Sequence, residues 1–113
     1  MEQHYKLFKI RELADNDEDF IKALASTFLE EVSVDIERLQ KAVVHKDYLQ
    51  TYQIAHKMKP TIDLFQLGVL DTLIEIQDWG KLVKTDLDIA PQLQVVVTAI
   101  NKALSEIKSD FSL

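Results

Sequence analysis

Between Ile21 and Val43 the apolar residues Ile21, Leu24, Phe28, Val32, Ile36, Leu39 and Val43 recur in steps of three and four without interruption. A β-strand cannot use that spacing, because it turns every second residue to the same face. An α-helix gathers all of them into one stripe. The stripe lasts about six turns and predicts one long amphipathic helix reaching to about His45. Such a helix must lie against others to cover its apolar side.

The remainder of the chain supplies those partners. The acidic cluster Asp15-Asn16-Asp17-Glu18-Asp19 stands ahead of the long helix, offering N-cap side chains and favourable charge for a helix start. A short helical segment, about Leu7 to Leu13, comes before it. Lys46-Asp47 marks a tight break, with Asp47 as the next cap. A third helix is predicted from about Tyr48 to Leu67, with Ala55, Met58, Ile62 and Phe65 inward and Gly68 ending it. A fourth carries Leu70, Leu73, Ile74 and Trp79, and Gly80 with Thr85-Asp86-Leu87-Asp88 leaves its end open. The last, capped by Asp88 or a near neighbour, tolerates Pro91 in its first turn and turns Leu93, Val97, Ile100, Leu104, Ile107 and Phe111 to one side. Two glycines and two prolines supply little turn chemistry for strands. The expected fold is all-α, a single domain over 1–113: an antiparallel up-and-down four-helix bundle with a short additional N-terminal helix on one end.

Composition removes several functions. A formal charge of -6 argues against nucleic acid, whose phosphates favour basic surfaces. The absence of cysteine removes disulfides, thiol nucleophiles and most zinc sites. No apolar run approaches the roughly 20 residues of a membrane span. The N-terminus Met-Glu-Gln-His-Tyr-Lys lacks the layout of a signal peptide, so a cytoplasmic protein is expected. None of the three histidines has a glutamate three residues before it, which speaks against a di-metal bundle site. Neither a glycine-rich phosphate loop nor a hydrolase-like serine context is present. A self-contained enzyme is not expected.

What remains is the stretch Ala55-His56-Lys57-Met58-Lys59-Pro60 in the third helix. At about 100° per residue, His56 lies roughly 140° from the centre of the apolar stripe and so faces water. Lys59 flanks it one turn along, Asp63 continues the same strip, and Lys57 lies on the opposite flank. A neutral imidazole nitrogen is nucleophilic, and a neighbouring ammonium can meet a phosphoryl group with a charge-assisted hydrogen bond. Pro60 sits within the helical pattern, where proline removes a hydrogen bond and clashes with the carbonyl four residues back, that of His56, at a cost of about 3 kcal/mol. The apolar stripe runs through Pro60 in phase, which predicts a continuous helix. On spacing alone, an exposed histidine beside lysines is also ordinary solvated surface.

These residues resemble the histidine-containing phosphotransfer (HPt) family, whose pattern, similar to A-H-x-L-K-G, lies in a long helix of a four-helix bundle. Alanine, histidine, the apolar position and the lysine match. Phe28-Leu29-Glu30-Glu31, Leu39-Gln40-Lys41-Ala42 and Asp47 through Ala55 resemble the family's approach to its histidine, and the similarity extends from about Asp17 to Leu73. The resemblance implies that His56 is the phosphoacceptor and Lys59 the cation that steadies the phosphoryl group. It implies a docking face offering Gln53, Lys57, Pro60 and Asp63, and an imidazole oriented by Gln77 or Asp78. The chain departs from the family at Pro60, where a small residue, usually glycine, is the rule, and at Gln66, often a glycine, with Gly68 nearest.

The function so implied is a phosphorelay intermediate of two-component signalling. It would carry phosphohistidine between receiver-domain aspartates, with a response-regulator receiver domain and a hybrid sensor kinase as partners. It needs no cofactor of its own, Mg²⁺ being expected in the receiver. A monomer is expected, without nucleic acid or membrane as partner, and Met1 together with the C-terminal helix suggests a stand-alone chain. Two competitors stand beside it. One is a non-phosphorylatable helical adaptor or scaffold, favoured if His56 is buried or Lys59 points away. The other is the dimerisation helix pair of a sensor kinase, against which stand Lys57, where an acidic residue is typical, and the lack of a following ATP-binding domain.

Overall fold

The computed structural model describes residues 3–113, in five helices and, among these residues, no strand: α1 (Phe8–Leu13), α2 (Glu18–Val44), α3 (Tyr48–Leu64), α4 (Leu70–Lys81) and α5 (Ala90–Asp110). Met1 and Glu2, where the reading of the N-terminus begins, lie outside the described residues. The long helix forms as its spacing requires. Asp17 caps it, its side chain accepting from the Asp19 N–H at 3.0 Å and the Phe20 N–H at 3.3 Å, with Glu18 and Asp19 in the first turn. At its end Lys46 takes a left-handed conformation (φ 54°) and the Asp47 N–H donates to the Ala42 carbonyl at 2.8 Å. Asp47 then caps α3 through the Gln50 N–H at 3.1 Å.

α2 packs against α3 and α5, and α4 against the same two. The molecule measures 46 × 22 × 19 Å, and 27 residues at about 1.5 Å each let α2 run nearly the whole long axis. Ile21, Phe28, Val32, Ile36, Leu39 and Val43 of α2 are buried, with Leu24 half-buried. All four expected residues of α3, Ala55, Met58, Ile62 and Phe65, are in the core. Phe28 and Phe65 tilt together with centroids 4.3 Å apart, and Tyr48 meets Trp79 at 4.5 Å. The segment before α1, together with α1 itself, closes one end. Tyr5, Leu7 and Ile10 are buried, the Lys6 N–H donates to the Phe65 carbonyl at 2.8 Å, and the Tyr5 hydroxyl reaches Asp110 at 2.8 Å.

One boundary differs from expectation, and two that the sequence left open are fixed. α3 stops at Leu64 rather than Leu67, because the left-handed residue that turns the chain is Gln66 (φ 51°), with Gly68 (φ 78°) following. The Gln66 amide donates to the Asp63 carbonyl and, at 3.3 Å, to its carboxylate, partners that a glycine there would lack. α4 runs straight through Gly80 to Lys81. At α5 the cap position is Ile89, while Asp88 accepts from the Ala90 N–H at 3.0 Å. The buried face of α5 is also rotated. Val96, Ile100, Ala103 and Ile107 are innermost, and Leu93, Leu104 and Phe111 are half-buried, because Val96 and the small Ala103 share the innermost face with Ile100 and Ile107.

Candidate functional site

Buried polar side chains are more informative than buried apolar ones, because each needs a partner. Three occur among the described residues: Asp35, Thr51 and Gln77. Thr51 satisfies its hydroxyl within α3, donating to the Asp47 carbonyl at 2.8 Å. Asp35 receives the Lys57 ammonium at 3.1 Å. Gln77, 8 % exposed on α4, places its Oε1 3.2 Å from Nδ1 of His56 on α3.

That last contact defines the site. The Gln77 Nε2 faces the Asp78 carboxylate, at the outer limit of hydrogen-bond distance, 3.5 Å. A carboxylate accepts only, so the amide nitrogen belongs on its side and the oxygen on the side of the ring. An amide oxygen accepts only as well, so Nδ1 of His56 carries the proton and donates it. Nε2, at the far side of the imidazole, then holds the lone pair. His56 is exposed, and Tyr52, one turn earlier, lies against its ring at 5.8 Å between centroids with 30° between planes. The imidazole is thus held at one nitrogen and along one face, with its nucleophilic atom left to solvent.

The other expected residues divide. Gln53 and Pro60 are exposed on α3, and Pro60 lies inside an unbroken helix. Lys59 is half-buried one turn beyond His56, and among the described residues its ammonium has no ion-pair partner. Lys57 is committed elsewhere: its head group pairs with Asp35, whose side chain is 6 % exposed, so it braces α3 on α2. Asp63 is tied to Lys9 at 3.1 Å and to Gln66, and belongs to the closure at the end of α3. Of the two candidates for ring orientation, Gln77 touches the imidazole and Asp78 sets the amide of Gln77.

Sequence reasoning missed Tyr52, although a helix brings residues four apart together and the aromatic four before His56 was visible. It also missed Gly80. A Cβ there would stand 2.5 Å from the Tyr48 carbonyl oxygen and 2.8 Å from the Tyr52 nitrogen, so α4 rests directly on the backbone of α3. Glycine inside a helix without a positive φ of its own is the available signal of such an approach. Among the described residues no cluster of three or more histidines and carboxylates could hold a metal ion, and no helix is long and apolar enough to cross a membrane. In comparisons with protein-family models, curated proteins and solved structures, nothing matches the chain.

Proposed function

We propose that this chain is a phosphorelay intermediate similar to the HPt family. His56 takes a phosphoryl group from the aspartyl phosphate of one receiver domain and yields it to the aspartate of another. In this reading α2 to α5 form an antiparallel up-and-down four-helix bundle with α1 across one end. The protein is a cytoplasmic monomer, and its partners are a hybrid sensor kinase and a response-regulator receiver. The observation that carries the reading is the bond between Nδ1 of an exposed histidine and a buried glutamine, which leaves Nε2 as the nucleophile.

The chemistry asks little more of the chain. The Nε2 lone pair attacks phosphorus, the P–O bond to the aspartyl carboxylate breaks, and the carboxylate leaves with the bonding electrons. No proton has to move, because Nδ1–H stays on the ring. The phosphorylated imidazole is cationic, and its Nδ1–H bond to Gln77 strengthens as that charge develops, which is stabilisation specific to the reaction. Lys59, without an ion-pair partner among the described residues, is available to the phosphoryl oxygens. The receiver supplies the acidic pocket and its Mg²⁺, so the chain is a carrier and not an independent catalyst.

Incubation with a phosphorylated receiver and Mg²⁺, followed by acid and alkali treatment, tests this. Acid-labile, alkali-stable phosphate on the chain is expected. A receiver that binds without transferring phosphate would instead identify a non-phosphorylatable adaptor.

A further inference from the structure

We propose that Gly80 is a positioning residue that sets the tautomer of His56 through Gln77; the inference rests on the reading of His56 as phosphoacceptor. Gly80 lies within α4, buried and without the positive φ that would explain a glycine by backbone conformation. Glycine weakens a helix relative to alanine, so its presence calls for a steric reason. The reason is contact with α3. A Cβ would meet the Tyr48 oxygen at 2.5 Å, the Tyr52 nitrogen at 2.8 Å and Thr51 Cβ at 3.3 Å. The first two are backbone atoms that cannot swing aside. A side chain at this position therefore drives α4 off α3 by most of an ångström.

The displacement reaches the site directly. Gln77 precedes Gly80 by three residues and shares its face of α4, while His56 follows Tyr52 by four on α3. One turn thus separates the close approach from the hydrogen bond. That bond is 3.2 Å long, so it has little slack before it is lost. Gln77 is buried and cannot extend freely to recover it. Without the amide oxygen, nothing keeps the proton on Nδ1. The neutral ring then returns to the form an unconstrained imidazole favours, with the proton on Nε2, and the exposed nitrogen loses its lone pair.

The test is a long-range ¹H–¹⁵N correlation of the His56 ring at a pH where it is neutral, in wild type, Gly80→Ala and Leu73→Ala. Leu73 is fully buried in the same helix, so its truncation lowers stability without adding bulk at the close approach. The expected result is Nδ1–H in wild type and Leu73→Ala, and a shift to Nε2–H in Gly80→Ala. The rate of phosphoryl acceptance by Gly80→Ala should fall roughly tenfold, about the worth of one hydrogen bond to a charged group. Retention of Nδ1–H in Gly80→Ala, or an equal shift in Leu73→Ala, overturns the inference. If Gly80→Ala does not fold, the wild type decides. A nuclear Overhauser contact between Gly80 Hα and the Tyr52 amide proton, together with Nδ1–H on His56, supports the inference, and absence of either overturns it. A chain that gives the expected tautomers yet takes no phosphate would defeat the phosphorelay reading and leave the positioning role standing.

Discussion

Two lysines follow His56 within one turn, and the fold gives them different duties. Lys57 neutralises a carboxylate buried between α2 and α3, whereas Lys59 has no ion-pair partner among the described residues. Lys57→Ala should therefore lower stability by about 1–3 kcal/mol, the cost of leaving a buried acceptor without its partner, and barely change the rate of phosphoryl acceptance. Lys59→Ala should do the reverse, since a half-buried ammonium without an ion-pair partner among the described residues contributes only about 0–1 kcal/mol to stability. Urea titration and transfer kinetics on the two variants check this, and equal transfer rates for Lys59→Ala and wild type would remove Lys59 from the site. The exposure of His56 and the place of Lys59 one turn along were legible because a helical wheel locates both. The pairing of Lys57 was not, because Asp35 lies 22 residues earlier on another helix and a wheel shows one helix at a time.

At the scale of the element, α3 carries both the site and its oddest residue. Pro60 removes a hydrogen bond to the His56 carbonyl and yet leaves the helix unbroken to Leu64. Pro60→Ala restores that donor, and the expected gain is about 1–3 kcal/mol in a urea titration. An unchanged midpoint would mean that the helix has already adapted to the proline. As Pro60 is exposed on the expected docking face, Pro60→Trp should block transfer by bulk while Pro60→Ala preserves it. The existence of all five helices was readable from apolar spacing, and the start of α2 and of α3 from Asp17 and Asp47. The end of α3 was not, because the left-handed position fell to Gln66, which satisfies its amide locally. The rotation of α5 was hidden for a related reason, since the small Ala103 carries weak hydrophobic signal although it lies fully buried.

Across the whole molecule, the N-terminal segment is fastened to α5. Glu106 accepts from the backbone N–H groups of Gln3 and His4 and from His4 Nδ1 at 2.9 Å. Burial pushes its carboxyl up, but these hydrogen bonds outweigh burial and hold it below the ordinary value of 4.5. A depressed carboxyl stabilises the fold above its unfolded value, and that contribution disappears as pH falls through the folded one. The melting temperatures of wild type and Glu106→Gln should therefore differ near pH 5, and converge on further acidification. A gap that widened in acid would contradict the fastening. The fold thus holds a closed end at Tyr5 and Glu106 and an open helix face at His56, and the central claim concerns the latter. Its most direct test is transfer of ³²P from a phosphorylated receiver to the wild-type chain and to His56→Gln. The account predicts label on the wild type alone, with both proteins equally helical and melting within a few degrees of each other, since exposed positions contribute little packing. Equal labelling of His56→Gln would contradict it.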